Sequence, residues 1–271
     1  MAEPILSVVV PAYQSADRIT VTIQKLLEYL MPRGPFEIIL IDDGSQDGTA
    51  DRILEQVRVH PEISLIRFAG NQGKGAAVRA GMLAARGRWI CFCDADLPIP
   101  IGQLDRLRAR LEDGCDVAIA SRTLPESSEI RQDAIRRLLS RTFNRLVRLV
   151  FGLPFGDTQC GFKGFRRAAA QAIFSRAQLN GFAFDVEVLL LARQLGFRVG
   201  QIPVHVEHSA LSTVRLSTHA WEILRDLWTL RRNLQRHVYG LAQRPDQAIN
   251  ERVSDASALA VANPTIGKAH G

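Results

Sequence analysis

Nowhere does the chain carry an apolar run approaching the roughly 20 residues of a bilayer-spanning helix, so any membrane contact is expected to be peripheral. It has no Cys-x-x-Cys pair. Its four cysteines, Cys91, Cys93, Cys115 and Cys160, stand in apolar or strand-end contexts and are expected as reduced, buried thiols. No His/Cys spacing suggests zinc. No Gly-x-Gly-x-x-Gly follows the first apolar run, which disfavours a dinucleotide enzyme. Gly73-Lys74 is not a nucleoside-triphosphatase loop, because Phe68 stands where that loop needs its first glycine and Gly75 where it needs Ser or Thr. There is no internal repeat, and Met1-Ala2-Glu3-Pro4 leads straight into an apolar run, so no signal peptide is expected.

What is present is an ordinary soluble composition, 46% apolar and 23% charged over 271 residues, enough for one large α/β domain or two small ones. The net charge of +6 matters because it is clustered, and clustered arginine points to nucleic acid or to an anionic membrane. Apolar, β-branched runs at 5–11, 36–41, 63–68, 89–93 and 116–121 alternate with segments of helical periodicity at 17–30, 50–59, 74–86 and 101–112. Asp17 is a plausible cap for the first of these. Several strands are apolar on both faces. That pattern predicts βαβ units and a mostly parallel sheet with helices on both sides. Beyond residue 122 the rhythm changes: a long amphipathic helix over 131–152, a Gly-rich turn into a short strand over 157–165, a helix over 182–195, a strand over 198–206 and a last helix over 216–239. Residues 241–271 lack periodicity and read as a disordered tail.

In an open parallel sheet, ligands bind outside the carboxyl ends of the strands. Asp94 and Asp96 stand there, two carboxylates around a small Ala, and hard oxygen donors favour Mg²⁺ or Mn²⁺ held together with substrate phosphates. Taken alone, they read first as two solvated turn acids, and the neighbouring motifs decide. Asp42-Asp43-Gly44-Ser45 closes another strand. It reads either as an acidic contact for a base or ribose, or as a capping loop with Ser45, Asp47 or Thr49 as cap.

As an ordered set, Ser7 to Tyr13, Asp42-Asp43-Gly44-Ser45-x-Asp47-Gly48-Thr49, Asn71-x-Gly73-Lys74-Gly75, Asp94-Ala95-Asp96-Leu97 and Ser121-Arg122 resemble family-2 glycosyltransferases of the GT-A, Rossmann-like fold. Asp157 to Lys163 and Ala183 to Glu187 are similar to the branch that glucosylates dolichyl or other polyprenyl phosphates. The resemblance implies that Pro11, Ala12 and Tyr13 line the nucleotide base, with Asp42 and Asp43 near base and ribose. Asn71 and Lys74 would complete the nucleotide-sugar contacts. It further implies Asp94 at the ribose or sugar and Asp96, with Asp94, at the metal. Ser212 and Arg215, in a closing loop over 207–215, would contact the diphosphate. Asp94, Asp96, Arg122 and Asp157 are the expected catalytic set. Two departures stand out: Gln14-Ser15 replaces the family's Asn-Glu, and Pro98 stands where the mannosyl branch often has Gln.

The expected acceptor is a polyprenyl phosphate, met by Arg122, Arg136, Ser140 and Arg141. Arg forks match phosphate oxygens, and the 136-to-140 spacing is the one the resemblance implies for the acceptor helix. Six arginines against one acid over 131–151, together with more apolar residues than one buried stripe needs, predict a helix lying in the membrane interface. The expected organisation is therefore a glycosyltransferase domain over 1–240, at the cytoplasmic membrane face, followed by the tail. Its expected reaction is inverting transfer of a hexose, glucose foremost, from a UDP-sugar; GDP-mannose or a soluble sugar acceptor is the alternative. A separate membrane protein would use or move the product. A nucleic-acid partner is not expected, since carboxylates at two strand ends repel that backbone.

Overall fold

A computed structural model describes residues 3–129, 134–206 and 216–240, with the side chains of 129, 134–141, 216–221 and 223 left out. The predicted tail and the 207–215 loop lie outside the described residues. The five apolar runs become strands β1 (Leu6–Ala12), β2 (Phe36–Asp42), β3 (Ile63–Arg67), β4 (Trp89–Cys93) and β5 (Val117–Ser121); the later chain adds β6 (Ser128–Glu129), which was not anticipated, β7 (Phe162–Arg166), β8 (Val199–Pro203) and β9 (His205–Val206). The helices are α1 (Ile19–Leu30), α2 (Thr49–Val59), α3 (Lys74–Ala84), α4 (Leu104–Glu112), α5 (Ala134–Phe151), α6 (Arg167–Phe174), α7 (Phe184–Gln194) and α8 (Leu216–Gln235).

Seven strands form one sheet in the order β3-β2-β1-β4-β7-β5-β8. Every pairing is parallel except those of β7, which runs antiparallel between β4 and β5. The period-2 alternation of a strand sorts the core into two layers. Val8, Val10, Ile38, Leu40, Cys91 and Cys93 pack with Ile19, Ile23 and Leu26 of α1 and Leu104, Leu107 and Leu111 of α4. On the other face lie Val9, Ile41 and Phe92, where Phe92 meets Phe165 and Phe184 at ring-centroid distances of 6.3 and 5.8 Å. Gly81 lets α3 lie against this second face, since a Cβ there would collide with Val9 Cγ1 and Ile41 Cδ1.

The antiparallel β7 positions the site. Its first residue, Phe162, sits beside the last residue of β4, Cys93. The Gly-rich segment before it is thereby delivered to the same sheet edge as Asp94 and Asp96. A parallel strand would have put that segment at the opposite edge.

Several local expectations change. Asp17 does not cap α1: its carboxylate accepts from the neighbouring Arg18 (Nε to Oδ1 2.8 Å), and the helix start is held by Ile19 N–H donating to Ser15 O at 2.9 Å. Residues 101–103 are a 3₁₀ turn ahead of α4. The predicted strand over 198–206 is divided at Val204 into β8 and β9, and β9 leaves the main sheet to pair with β6. α6 was not anticipated; it follows β7 without any Gly or Pro to mark the change. All four cysteines are free and buried.

Gly81→Ala is expected to lower the unfolding free energy by about 1–3 kcal/mol, the cost of overpacking a filled core. Urea denaturation followed by circular dichroism measures it.

Candidate active site

The strand ends of β1, β2 and β4 meet two loops. At the end of β2, Asp42 is fully buried; its Oδ1 accepts from Ser45 N–H at 3.1 Å and its Oδ2 lies 3.3 Å from Arg67 Nε. That second contact lacks hydrogen-bond geometry, so Oδ2 is a buried acceptor without a hydrogen-bond donor. Asp43 is committed differently. Its two oxygens accept from Gln72 N–H (2.7 Å) and Gly73 N–H (2.9 Å), and its own N–H donates to Ala12 O at 2.9 Å. Burial raises its pKa against those two bonds, and the Asp42 charge adds to the rise. Gly44 permits the loops to touch, because a Cβ at this positive φ of 73° would strike the backbone of Gly70 and Asn71. Asn71 and Tyr13 are exposed, Pro11 is partly buried and Ala12 is buried. In the same loop, Asp47 Oδ1 accepts from Thr49 N–H at 3.0 Å, so Asp47 serves the start of α2.

Beyond β4 the chain turns tightly. Leu97 N–H donates to Asp94 O at 3.1 Å, Leu97 takes a positive φ of 42°, and Thr22 Oγ1 donates to Ala95 O at 2.6 Å. A non-Gly residue held at positive φ costs about 1 kcal/mol or more, and such strain clusters at functional sites. Asp94 Oδ1 lies 2.6 Å from Lys74 Nζ. Burial alone would depress the Lys74 ammonium, but the charges of Asp94 and Asp185 outweigh it and raise its pKa. Gly161 is required here, since a Cβ would collide with the Asp94 carboxylate. Asp96 is exposed at the turn; protein crowding around its carboxyl raises its pKa, and the Asp94 charge adds to this.

Beneath these groups lies a buried pair. Lys163, fully buried on β7, donates to Asp185 Oδ1 and, at 2.6 Å, to Cys160 O. Burial raises the Asp185 pKa against the attraction of Lys163 and Lys74. Four charges thus alternate: Asp94, Lys74, Asp185, Lys163. Asp185 is thus one half of a buried ion pair. Glu187 instead accepts from Gln178 N–H, Leu179 N–H and Tyr239 O–H.

On the far side of Gly161, Asp157 is buried and clasped by Arg122. Nε donates to Oδ2 at 2.7 Å, Nη2 to Oδ1 at 3.0 Å, and the Arg122 backbone N–H to Oδ2 at 3.0 Å. Burial opposes the charge, but the guanidinium wins and Asp157 is held below the usual carboxylate range. The neighbouring Thr158 donates its N–H and hydroxyl to Asn144 Oδ1 at 3.1 and 3.0 Å, which ties α5 to this segment. Cys160 shows how close the two halves are. Burial pushes its thiol up to about 12, and the charges of Asp157, Arg122, Lys163 and Asp94 all act on it.

Of the residues expected to act, Asp42, Asp43, Lys74, Asp94, Asp96, Arg122 and Asp157 line this one edge. Arg136, Ser140 and Arg141 lie on α5, but their side chains are outside the described residues, as are Ser212 and Arg215. Reading the sequence missed the structural parts of Gly161 and Lys163, whose partners are far away in the chain. Among the described residues no group of three or more His, Cys, Asp or Glu could hold a metal. Asp96 with Asp94 nonetheless fits a Mg²⁺- or Mn²⁺-type ion completed by substrate phosphates: both donors are hard oxygens, and their mutual repulsion favours an added cation.

A model of glycosyl transferase family 2 matches residues 7–174. The chain belongs to that family. Among curated relatives, the dolichyl-phosphate beta-glucosyltransferase of Drosophila melanogaster is 36% identical, over 73% of this chain and 66% of the relative. That of Saccharomyces cerevisiae is 34% identical, over 84% and 75%. The chain thus spans about two thirds of the length of the first and three quarters of the second. A crystal structure of glucosyl-3-phosphoglycerate synthase from Mycobacterium tuberculosis, in complex with Mn²⁺, UDP and glucosyl-3-phosphoglycerate, superposes with a TM-score of 0.62 at 19% identity, over 84% of this chain and 80% of that one. The fold of this family-2 glycosyltransferase is GT-A, a mostly parallel sheet between helices.

Asp157→Asn removes the counter-charge of Arg122 and is expected to cost about 3 kcal/mol at neutral pH, as breaking a buried pair does. Because the folded pKa of Asp157 is lowered, this contribution is present above pH of about 4 and lost as pH falls through the folded value. Urea unfolding of wild type and variant across pH should therefore converge at the acid end.

Proposed function

We propose that this glycosyltransferase moves glucose from a UDP-sugar to a polyprenyl phosphate at the cytoplasmic face of a membrane, with inversion. The observation that carries the reading is the meeting, across Gly161, of a carboxylate pair at the end of β4 with the Arg122–Asp157 clasp at the root of α5. One side suits a cation and a donor diphosphate, the other an acceptor anion. The names of the two curated relatives supply the acceptor class, dolichyl phosphate, and the sugar.

Donor recognition falls to Tyr13, exposed for stacking on a base, beside the paired strand ends Ala12 and Asp42. Lys74 neutralises Asp94 and presents positive charge toward phosphate. Asp96, with Asp94, would hold a divalent cation, which when bound supplies Lewis-acid neutralisation of the departing diphosphate. A lipid monophosphate needs no general base, because with a second pKa of about 6 it is mostly dianionic at neutral pH. What it needs is cations, and Arg122 with Arg136 and Arg141, beside Ser140, would hold it. Asp157 keeps the Arg122 guanidinium aimed.

Membrane contact rests on α5 and α8. On α5, Val147 is fully buried while Leu146, Leu149 and Val150 are exposed by 40, 76 and 42%, beside exposed Arg145 and Arg148. On α8, Trp228 is exposed by 61%, with the Arg232 guanidinium 5.0 Å from its ring. Exposed apolar residues flanked by arginine suit the headgroup layer of an anionic bilayer. Among the described residues no helix is long and apolar enough to cross a membrane.

Incubation with UDP-[14C]glucose, Mg²⁺ and undecaprenyl or dolichyl phosphate should yield an organic-extractable product. No such product with any common nucleotide sugar would overturn the reading, and transfer to a water-soluble sugar instead would assign a soluble acceptor. Asp96→Asn should reduce turnover at least about 100-fold, the scale of a lost electrostatic catalytic contact, while vesicle flotation stays at the wild-type level. Arg136→Ala should raise the acceptor KM about ten-fold, as one lost charge-assisted contact does, with UDP affinity unchanged in calorimetry.

A further inference from the structure

The last described turn of the chain closes on an unexpected partner. After α8 the backbone reverses through His237, at a positive φ of 55°, and buries Tyr239 to 3% exposure. The Tyr239 hydroxyl donates to Glu187 Oε1 at 2.7 Å and lies 3.4 Å from Asn233 Nδ2. Glu187, fully buried on α7, has further donors: Gln178 N–H to Oε1 and Leu179 N–H to Oε2, both at 2.9 Å. Its burial raises its pKa against all three bonds. Among the described residues the hydrogen bonds to this buried carboxylate come from backbone and tyrosine, with the Arg79 charge acting on it without a direct bond, and such burial is costly unless its geometry serves something.

What it serves is the 178–181 loop. Asn180 O accepts from Gly75 N–H at 2.7 Å, and Asn180 Oδ1 accepts from Arg79 Nη2 at 2.8 Å. Cβ atoms at Gly73 or Gly75 would collide with the carbonyls of Asn180 or Leu179. The loop is therefore laid directly on the two glycines that flank Lys74. On its other side a Cβ at Gly181 would strike the Asp226 carboxylate of α8. α8 and its terminal turn thus clamp, from behind, the loop that holds the backbone of Lys74 in place opposite Asp94.

We infer that Glu187 and Tyr239 are positioning residues of the donor site: through the 178–181 loop they set Lys74 against Asp94, which makes the end of α8 a working part of nucleotide-sugar binding. The inference rests on the donor-site reading above, and neither residue touches substrate. A scaffold role alone would alter stability; this role alters donor affinity through Lys74 in particular.

The full chain is titrated calorimetrically with UDP and UDP-glucose in the presence of Mn²⁺, as wild type, Tyr239→Phe, Lys74→Met and the double variant. Tyr239→Phe should weaken UDP-glucose binding about five-fold, the scale of one lost hydrogen bond. The donor KM should rise likewise, the acceptor KM should stay unchanged, and hydrogen exchange should quicken at amides 72–76. In the Lys74→Met background, Tyr239→Phe should add no further loss. Unchanged donor affinity in Tyr239→Phe, or a loss that adds fully to that of Lys74→Met, overturns the inference. Should Tyr239→Phe fail to fold, Glu187→Gln, which keeps the shape but removes the charge that holds Gln178 N–H, Leu179 N–H and the Tyr239 hydroxyl, carries the same expectations and the same refutations. If the wild type itself binds no nucleotide sugar, the donor-site reading falls and this inference with it. Wild-type binding that the variants leave intact removes this inference alone.

Discussion

Lys74 and Asp94 meet at 2.6 Å, both only about a quarter exposed, and the carboxylate side of the candidate site is arranged around that contact. A half-buried pair is worth having only if the desolvation of both charges is offset by good geometry and further partners. Each partner here has help. Asp185 adds its charge to the field at Lys74, and Lys163 in turn compensates Asp185 from the core. The alternation of charges keeps Lys74 protonated, while Asp96 stands exposed with its pKa raised by protein crowding and by the Asp94 charge. That repulsion is what a divalent cation and a diphosphate would answer.

The second constraint is steric. Asp94 is approached so closely by the segment before β7 that only glycine fits at position 161. The same segment carries Asp157, which clasps Arg122, and Thr158, which is tied to Asn144 of α5. One short stretch of chain therefore connects the carboxylate edge with the arginine side. Thr158, tied to α5, lies only three residues from Gly161, which packs on Asp94. Buried ion pairs and hydrogen bonds make that connection stiff, since each has a discrete geometry and a large cost of leaving it.

Much of this was legible in the residues. The alternation of β-branched runs and amphipathic segments carries the α/β architecture, because the two periods, 2 and 3.6, are properties of the backbone itself. Asp94-x-Asp96 at the end of an apolar strand marked the site for the same reason: the sheet's carboxyl edge is where unpaired strand ends and loops gather. Less legible were the capping details. Asp17 stands where a cap is expected, yet Arg18 beside it offers its carboxylate a charged partner and Ser15 O receives the helix N–H instead. α6 is an Ala-rich run with no punctuation before it, so its start could not be separated from the end of β7.

The sequence alone carries the class of fold, the sheet edge at which the candidate residues gather and the kinds of groups available there, because all three follow from local pattern and side-chain type. Who holds whom is set by packing in three dimensions. The direction of β7, which brings Gly161 to Asp94, depends on a strand joining the sheet between two others that precede it by many residues. Asp43 sets its two oxygens on the backbone N–H groups of residues 72 and 73, while Glu187 binds a loop and a tyrosine. A carboxylate's chemistry is written in its name, but its partner is whichever donor the fold leaves within about 3 Å, and that is a property of distance in space rather than of order along the chain.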